Sequence, residues 1–295
     1  MKQKMLLIVN PNSGTRRIVS YLPKLNRIFS NADYDVAIYL TNQRHDAEEI
    51  VVQQGAQKDL IVCCGGDGTL NEVISGLMRL ESRPQLAYIP AGTTNDFSTT
   101  LGISKHIMTA AKDCLNGQPH ALDLGCINGR YFSYIASFGA FTESSYNTPQ
   151  SLKNALGHLA YVLEGAKDLL TLQPHHLKLT VDGEELEGDY IFGAISNTTS
   201  IGGVLRLNDT LVRLNDGLLE LMLIRSPKTV IELREILRRL SKQDYQGSPM
   251  ITFKQASNIH IHSESRIPWS LDGEYFEGDS NISVETIHSA LTLIC

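Results

Sequence analysis

The stretch from Leu60 to Gly76, LIVCCGGDGTLNEVISG, restricts the fold of this chain more than any other. Leu60 to Cys64 is an apolar run without alternation, too short for a helix, and such a run belongs to a strand buried on both faces. Gly65 ends it. Gly65, Gly66 and Gly68 permit backbone conformations and close approaches that a Cβ would block, and Thr69 stands where a helix is expected to begin. Leu70, Val73, Ile74 and Leu77 follow at helical spacing. The expected unit is strand, glycine turn, helix, with the first-turn N–H groups of the helix available to an anion above the strand end. Asp67 in that turn would repel a phosphate unless a cation lay between them, and Mg²⁺ would serve. The turn has neither the lysine of a GxxxxGK[ST] loop nor the spacing of GxGxxG. Taken alone it reads either as a phosphate turn or as a glycine turn capped by its own aspartate.

The preceding and following residues repeat the theme. Met5 to Val9 is a second buried-strand candidate and runs into NPNSG and Arg16-Arg17. Ile18, Leu22, Leu25 and Phe29 then keep helical spacing, with Pro23 arguing for a kinked helix or a late start. Val36 to Leu40 reads as a strand ending at Thr41-Asn42, and Ala47, Ile50 and Val51 mark a helix that Gly55 would close. Leu86 to Ile89 reads as a strand running into Pro90-Ala91-Gly92-Thr93-Thr94-Asn95-Asp96, before a helix from about Lys105 to Leu115. Alternation of this kind predicts a parallel sheet with helices on its faces and a ligand beyond the carboxyl ends of the strands. NPNSG, GGDGT and AGTTND would meet on that one edge, and with Asp67, Thr93, Thr94, Asn95 and Asp96 they predict a nucleotide phosphate site with bound metal. Arg16 or Arg17 either contacts a phosphate or is simply solvated.

From about Ala121 the pattern becomes β. Tyr131–Phe138, Leu177–Val181, Tyr190–Ile195, Leu218–Ile224, Ile259–His262 and Asn281–Val284 are short runs, and turn pairs such as Asp182-Gly183, Asp216-Gly217 and Asp272-Gly273 break the pattern, as in an antiparallel sandwich. Two helices interrupt it, one near Leu152 to Leu170 and one opening at Ser226-Pro227. The second sets Val230, Leu233, Ile236, Leu237 and Leu240 against Lys228, Arg234, Arg238, Arg239 and Lys242. That basic face is either a solvated surface or a contact for anionic lipid.

A length of 295 residues allows two domains with ample core. No apolar run approaches the roughly 20 residues of a membrane span, and MKQKMLLIVNPNSG meets Asn-Pro too early for a signal peptide, so any membrane contact is expected to be peripheral. The five cysteines have no zinc-like spacing and read as reduced core thiols of a cytoplasmic protein. The formal charge is −6, with 12 basic and 12 acidic residues up to residue 125 and 14 against 20 beyond it, so no basic face emerges for nucleic acid.

On these residues the chain closely resembles the diacylglycerol kinase catalytic family, in particular its soluble bacterial lipid kinases, which are similar to sphingosine kinases. The resemblance extends over almost the whole chain. It is carried by NPNSG (residues 10–14), GGDGTLNEV (65–73), PAGTTND (90–96), LDLG (122–125), LKNALGHLAY (152–161), RLNDG (213–217) and LDGE (271–274). GGDGT alone is shared with NAD kinases; its combination with GTTND and the late DGE is more specific.

The resemblance implies an N-terminal three-layer α/β domain with a parallel sheet, residues 1–125, holding ATP with Mg²⁺. A C-terminal antiparallel β-sandwich domain, residues 126–295, would receive the lipid and form the other wall of the cleft, with room for its last strand to return toward the first domain. By motif, Asn10, Pro11, Asn12, Ser13, Gly14, Thr41, Gly65, Gly66, Asp67, Gly68, Thr69, Leu70, Asn71 and Thr94 would contact the nucleotide. Glu274 would be the general base, although from spacing alone it is an ordinary hairpin acid. Arg213, Asp216 and Leu218 resemble a second, structural Mg²⁺ site, where Asn215 replaces the first acid of the usual Asp-Asp-Gly. Asp96 and Asp123 resemble a supporting acidic network. Trp269, Tyr275 and Phe276 line an acyl pocket or pack a sheet.

The activity so implied is ATP- and Mg²⁺-dependent phosphorylation of a lipid hydroxyl, foremost diacylglycerol to phosphatidic acid. The lipid would be met at the inner face of the membrane by a cytoplasmic, peripherally associated protein, and exposed β edges are compatible with a homodimer. An NAD kinase-like phosphotransferase and a non-catalytic nucleotide or lipid sensor are the alternatives. The intact set Asp67, Asp96, Asp216 and Glu274 argues against the sensor.

Overall fold

A computed structural model of the chain describes residues 2–93, 95–140, 172–201, 205–207 and 211–295. Thr94 and the helix expected near residues 152–170 lie outside these. The chain divides into two compact units, Met1–Asp123 with His288–Cys295, and Leu124–Ile287.

The first unit alternates strands β1 (Gln3–Val9), β2 (Tyr34–Leu40), β3 (Leu60–Gly65) and β4 (Gln85–Pro90) with helices α1 (Ile18–Asn31), α2 (Asp46–Gln54) and α3 (Asp67–Met78). Two more helices follow, a short α4 (Asp96–Thr100) and α5 (Ile107–Asn116). The sheet order is β2-β1-β3-β4, every pair parallel. β3 is buried along its whole length, which is why its sequence shows no alternation. The chain leaves β1 toward β2 and crosses back to β3 on the other side, so the strand order reverses between the carboxyl ends of β1 and β3, the place where parallel sheets open a crevice for ligands.

Three local details differ from expectation. α1 begins at Ile18 and contains Pro23 within its second turn, so the proline sets no late start. Gly55 does not close α2 in a left-handed conformation; its φ is −61° and one 3₁₀ turn follows to Gln57. A Cβ there would lie 2.9 Å from Leu80 Cδ1, which that side chain would have to yield. α3 starts at Asp67, two residues before Thr69, with Gly66 as its N-cap.

In the second unit, β5 (Pro119–Ile127, entering from the first), β6 (Arg130–Phe132), β7 (Ile135–Gly139), β8 (His175–Val181), β9 (Glu184–Ser196), β10 (Ser200–Ile201), β11 (Leu205–Arg206) and β12 (Leu219–Arg225) precede helix α6 (Val230–Lys242). After it come β13 (Ile251–Ala256), β14 (Asn258–Ser263), β15 (Trp269–Leu271), β16 (Glu274–Phe276) and β17 (Asn281–Ile294). The long strand β9 makes the sandwich. Its first half pairs with β8, which continues to β14 and β17; its second half lies between β7 and β12. Its burial changes at the same place, from alternating to continuous. Trp269, Phe138, Tyr190 and Leu223 fill the core between the layers, with the Phe138 and Trp269 rings 4.9 Å apart at 61°. Trp269 therefore packs a sheet. The expected α/β unit followed by an antiparallel sandwich is the observed architecture.

β17 ends in the first unit, where Leu293 and Ile294 pair in parallel with Leu86 and Ala87 of β4. The strand bends at Ser289, whose φ is +49°. Asp123, wholly buried, holds that bend by accepting the Ser289 N–H at 2.6 Å and meeting His288 Nδ1 at 2.9 Å.

α2 and α3 approach closely at Gly76, where a Cβ would lie 2.7 Å from the Glu48 carbonyl oxygen and 2.8 Å from Val51 Cβ. Alanine is the better helix former by up to about 1 kcal/mol, whereas overpacking costs about 1–3 kcal/mol. Gly76→Ala is therefore expected to lower stability in urea unfolding, against its helix propensity.

Candidate active site

The three turns at the carboxyl ends of β1, β3 and β4 are joined to one another by backbone contacts that leave no room for side chains. A Cβ on Gly92 would stand 2.6 Å from Gly66 Cα and 2.7 Å from Asn95 Oδ1, and one on Gly14 would strike the Ala91 carbonyl oxygen. Gly14 also has φ +50°, a conformation glycine adopts without strain. Asn10 Nδ2 donates to Thr69 Oγ1 at 3.0 Å, tying the first turn to the start of α3, while its Oδ1 accepts the Asn12 N–H at 2.9 Å. Ser13 is buried, and so is Thr41, which donates its N–H to the Val9 carbonyl at 2.9 Å. Leu70 is wholly buried in the core and gives its N–H to Gly66 O at 3.1 Å. Intrahelical bonding in α3 begins there, so the N–H groups of Gly68 and Thr69 precede it. Arg16 and Arg17 are both exposed.

Asn95 is the residue that shapes the third turn. It caps α4 with φ +53°, a conformation asparagine tolerates better than most side chains. Its Oδ1 accepts the Gly92 N–H at 2.9 Å, its Nδ2 donates to Gly92 O at 2.8 Å, and the Tyr88 hydroxyl lies 3.3 Å from Oδ1. With 4% of its surface exposed, it holds the loop from within. Asp67, the first residue of α3, accepts the Asp96 N–H through Oδ2 at 3.1 Å. The carboxylate of one turn is thus tied to the backbone of another. Asp96 itself is buried.

In the second unit the turn before Glu274 is anchored by its neighbour. Asp272 and Gly273 have φ +49° and +86°, as a two-residue hairpin turn requires, and join β15 to β16. The Asp272 carboxylate, 3% exposed, accepts the Ser133 N–H at 2.6 Å, the Ser133 hydroxyl at 2.8 Å, and the Tyr134 and Ile135 N–H groups at 3.0 Å each. Burial pushes its pKa up and these four donors pull it back. Glu274 stands two residues on, part-exposed, at the start of β16. The sequence marks the turn through Asp-Gly, but nothing local marks the Asp272 carboxylate as an anchor.

Arg213, Asp216 and Leu218 lie in the loop before β12. Asp216 is exposed and its Oδ1 accepts the Leu218 N–H at 3.1 Å. Glu220, two residues further, was not a sequence candidate. It is wholly buried, one oxygen receiving Gln255 Nε2 at 3.3 Å and the other having no hydrogen-bond partner among the described residues. Burial first, then the charge of Asp216, raises its pKa to about 8. A buried carboxyl so placed is neutralised by a proton or by a cation.

A parallel sheet whose switch point carries three closely packed glycine turns, with Asp67 and Asp96 among them, is the framework of a phosphate-binding site, and the relatives of the chain give its class. The diacylglycerol kinase catalytic domain matches residues 4–127, and the YegS C-terminal NAD kinase beta sandwich-like domain matches residues 138–295. A diacylglycerol kinase of Bacillus subtilis (strain 168) is 34% identical over 271 residues, covering 91% of this chain and 89% of that protein. One of Staphylococcus aureus (strain MRSA252) is 32% identical over 276 residues, covering 93% and 87%. The crystal structure of a diacylglycerol kinase from Bacillus anthracis str. Sterne superposes with a TM-score of 0.77 at 27% identity, over 99% of this chain and 96% of that one. The chain belongs to the diacylglycerol kinase family of lipid kinases.

The contact between Gly66 and Gly92 gives a test of the cradle. Gly92→Ala places a methyl group where the backbone of the GGDGT turn now lies, and that neighbour is backbone that cannot rotate away. Calorimetry is expected to show nucleotide affinity lowered at least about tenfold, since the loops must part to admit it.

Proposed function

We propose that this lipid kinase uses ATP and Mg²⁺ to phosphorylate the free hydroxyl of diacylglycerol, giving phosphatidic acid, at the inner face of the membrane in which that substrate resides. The observation that carries the reading is the joined cradle of residues 10–14, 65–71 and 90–96. Its backbone admits phosphate oxygens closely, and Asp67 stands where a metal-bound phosphate chain needs a carboxylate. Among the described residues no helix is long and apolar enough to cross a membrane.

In this reading the main chain at Gly66, Gly68 and Thr69 cradles the phosphates, with the N–H groups of Gly68 and Thr69 as donors, and Asn10 and Thr69 keep the first two turns in register. Asp67, with Asp96 beside it, would hold Mg²⁺, which would withdraw charge from the phosphate oxygens. Glu274 accepts the proton of the acceptor hydroxyl as its oxygen bonds to the γ-phosphorus. The bond from that phosphorus to the bridging oxygen breaks, and ADP departs with the electron pair. Asp272 fixes the hairpin that carries Glu274. Arg213, Asp216 and Leu218 would hold a second Mg²⁺ through the Asp216 carboxylate and main-chain carbonyls.

Incubating the protein with ATP, Mg²⁺ and a total lipid extract is expected to add one phosphate to diacylglycerol, read by mass. Folded protein that phosphorylates no neutral lipid contradicts the assignment. Glu274→Gln should reduce turnover by about 10²- to 10⁴-fold with ATP affinity unchanged, whereas Asp67→Ala should weaken Mg²⁺-dependent ATP binding itself. A Glu274→Gln enzyme that keeps most of its activity removes Glu274 from the base role.

A further inference from the structure

Helix α6 carries an apolar tip that the fold does not use. It begins at Val230, not at Ser226-Pro227, with Thr229 as N-cap. Thr229 Oγ1 accepts the Glu232 N–H at 3.2 Å, and Glu232 Oε2 accepts the Thr229 and Lys228 N–H groups at 3.0 and 2.6 Å. This capping box fixes the first turn rigidly. Leu233, Ile236, Leu237 and Leu240 are buried, so one face of the helix is fully committed to the core. Ile231 is nevertheless 78% exposed, the most exposed large apolar side chain among the described residues, and its neighbour Val230 is 44% exposed. A β-branched pair left in water on a well-capped helix contributes nothing to folding.

Around that tip the one carboxylate, Glu232, is taken up by the capping box, and the flanking side chains Lys228 and Arg234 are basic. Lys228, three residues before Ile231, is exposed, and so are Arg234, Arg238 and Lys242, which follow Ile231 along the helix after three, seven and eleven residues on the side away from the buried stripe. Glu235 is taken up by Arg238 at 2.9 Å and by Arg239 at 2.7 Å, and Arg239 also reaches Asp244 at 2.6 Å. Lys228, Arg234 and Lys242 make no ion pair among the described residues, and they belong to a chain of formal charge −6. An apolar wedge ringed by unpaired cations complements a surface that is anionic at its face and apolar beneath.

From this we infer that the first turn of α6 docks the enzyme on anionic phospholipid, Ile231 and Val230 entering the acyl boundary while Lys228, Arg234 and Lys242 meet phosphate headgroups. The inference rests on the lipid-kinase reading for its purpose, not for its measurement. It assigns the peripheral contact to a particular element and predicts that anionic lipid activates the enzyme by bringing it to its substrate.

The test uses the full chain with vesicles of phosphatidylcholine alone or mixed with phosphatidylglycerol. Wild type should sediment with the mixed vesicles, less so as NaCl is raised. Ile231→Asp and, separately, Arg234→Glu should each bind about tenfold or more weakly, with unchanged circular dichroism because both side chains are exposed. Both variants should lose activity on vesicle-borne diacylglycerol and keep it on a short-chain, monomerically dispersed one. Variants that bind mixed vesicles as wild type does overturn the inference. So does an Ile231→Asp that instead dissolves a dimer in analytical ultracentrifugation while vesicle binding stays intact, since the face would then be a protein contact. A protein that phosphorylates no lipid yet binds vesicles through Ile231 upholds the docking and removes the catalytic reading.

Discussion

Gly92 stands so close to Gly66 that it could not carry a side chain, and the nucleotide-binding reading depends on that approach. Two turns from different strands are pressed together at the switch point of a parallel sheet, and a third is added where Gly14 meets Ala91. The contact turns separate loops into one surface of backbone, with an aspartate at its centre. It is maintained from below: Asn95 bonds both polar groups of Gly92, Tyr88 reaches up from β4, and the Gly65 carbonyl accepts the Ala91 N–H at 2.8 Å. Such a surface accepts an anion with little reorganisation, which phosphoryl transfer rewards more than it rewards covalent help.

In the second unit the turn before Glu274, the proposed base, is held by a different device. A two-residue hairpin turn is mobile unless something holds it, and here Asp272 puts its carboxylate among four donors from residues 133–135. A carboxylate with that many charge-assisted bonds fixes the turn, and with it the start of β16 where Glu274 lies. The same economy appears at Asp123, whose buried carboxylate fixes the bend through which β17 returns to the parallel sheet. In both places an acid that a motif search would assign to chemistry has hydrogen-bonding work in the fold.

The order of elements in the first unit, and the gathering of its three turns, could be read from apolar runs and glycines because those signals are local. The details that could not be read are those set by distant neighbours. Asp272 is anchored by residues far earlier in the chain. Glu220 sits in an apolar run, LLELMLIR, where a single acid suggests an outward-facing position, yet it is wholly buried because β9, β13 and the loop before β12 surround it. The change of partners along β9, from β8 to β7 and β12, is set by those neighbours and has no local mark in the sequence. Asn95 looked like a ligand-facing turn residue; its inward role depends on Tyr88 and Gly92 meeting it. The helix motif LKNALGHLAY lies outside the described residues.

The central claim is that ATP lies on the backbone cradle formed by the first unit's three turns. Hydrogen–deuterium exchange of the full chain with and without Mg²⁺-ATP tests it most directly, because it reports position without requiring turnover. Protection confined mainly to residues 10–14, 65–71 and 90–96 is the predicted result. Unchanged exchange in those three segments, with protection arising in the strands of the second unit instead, would contradict it.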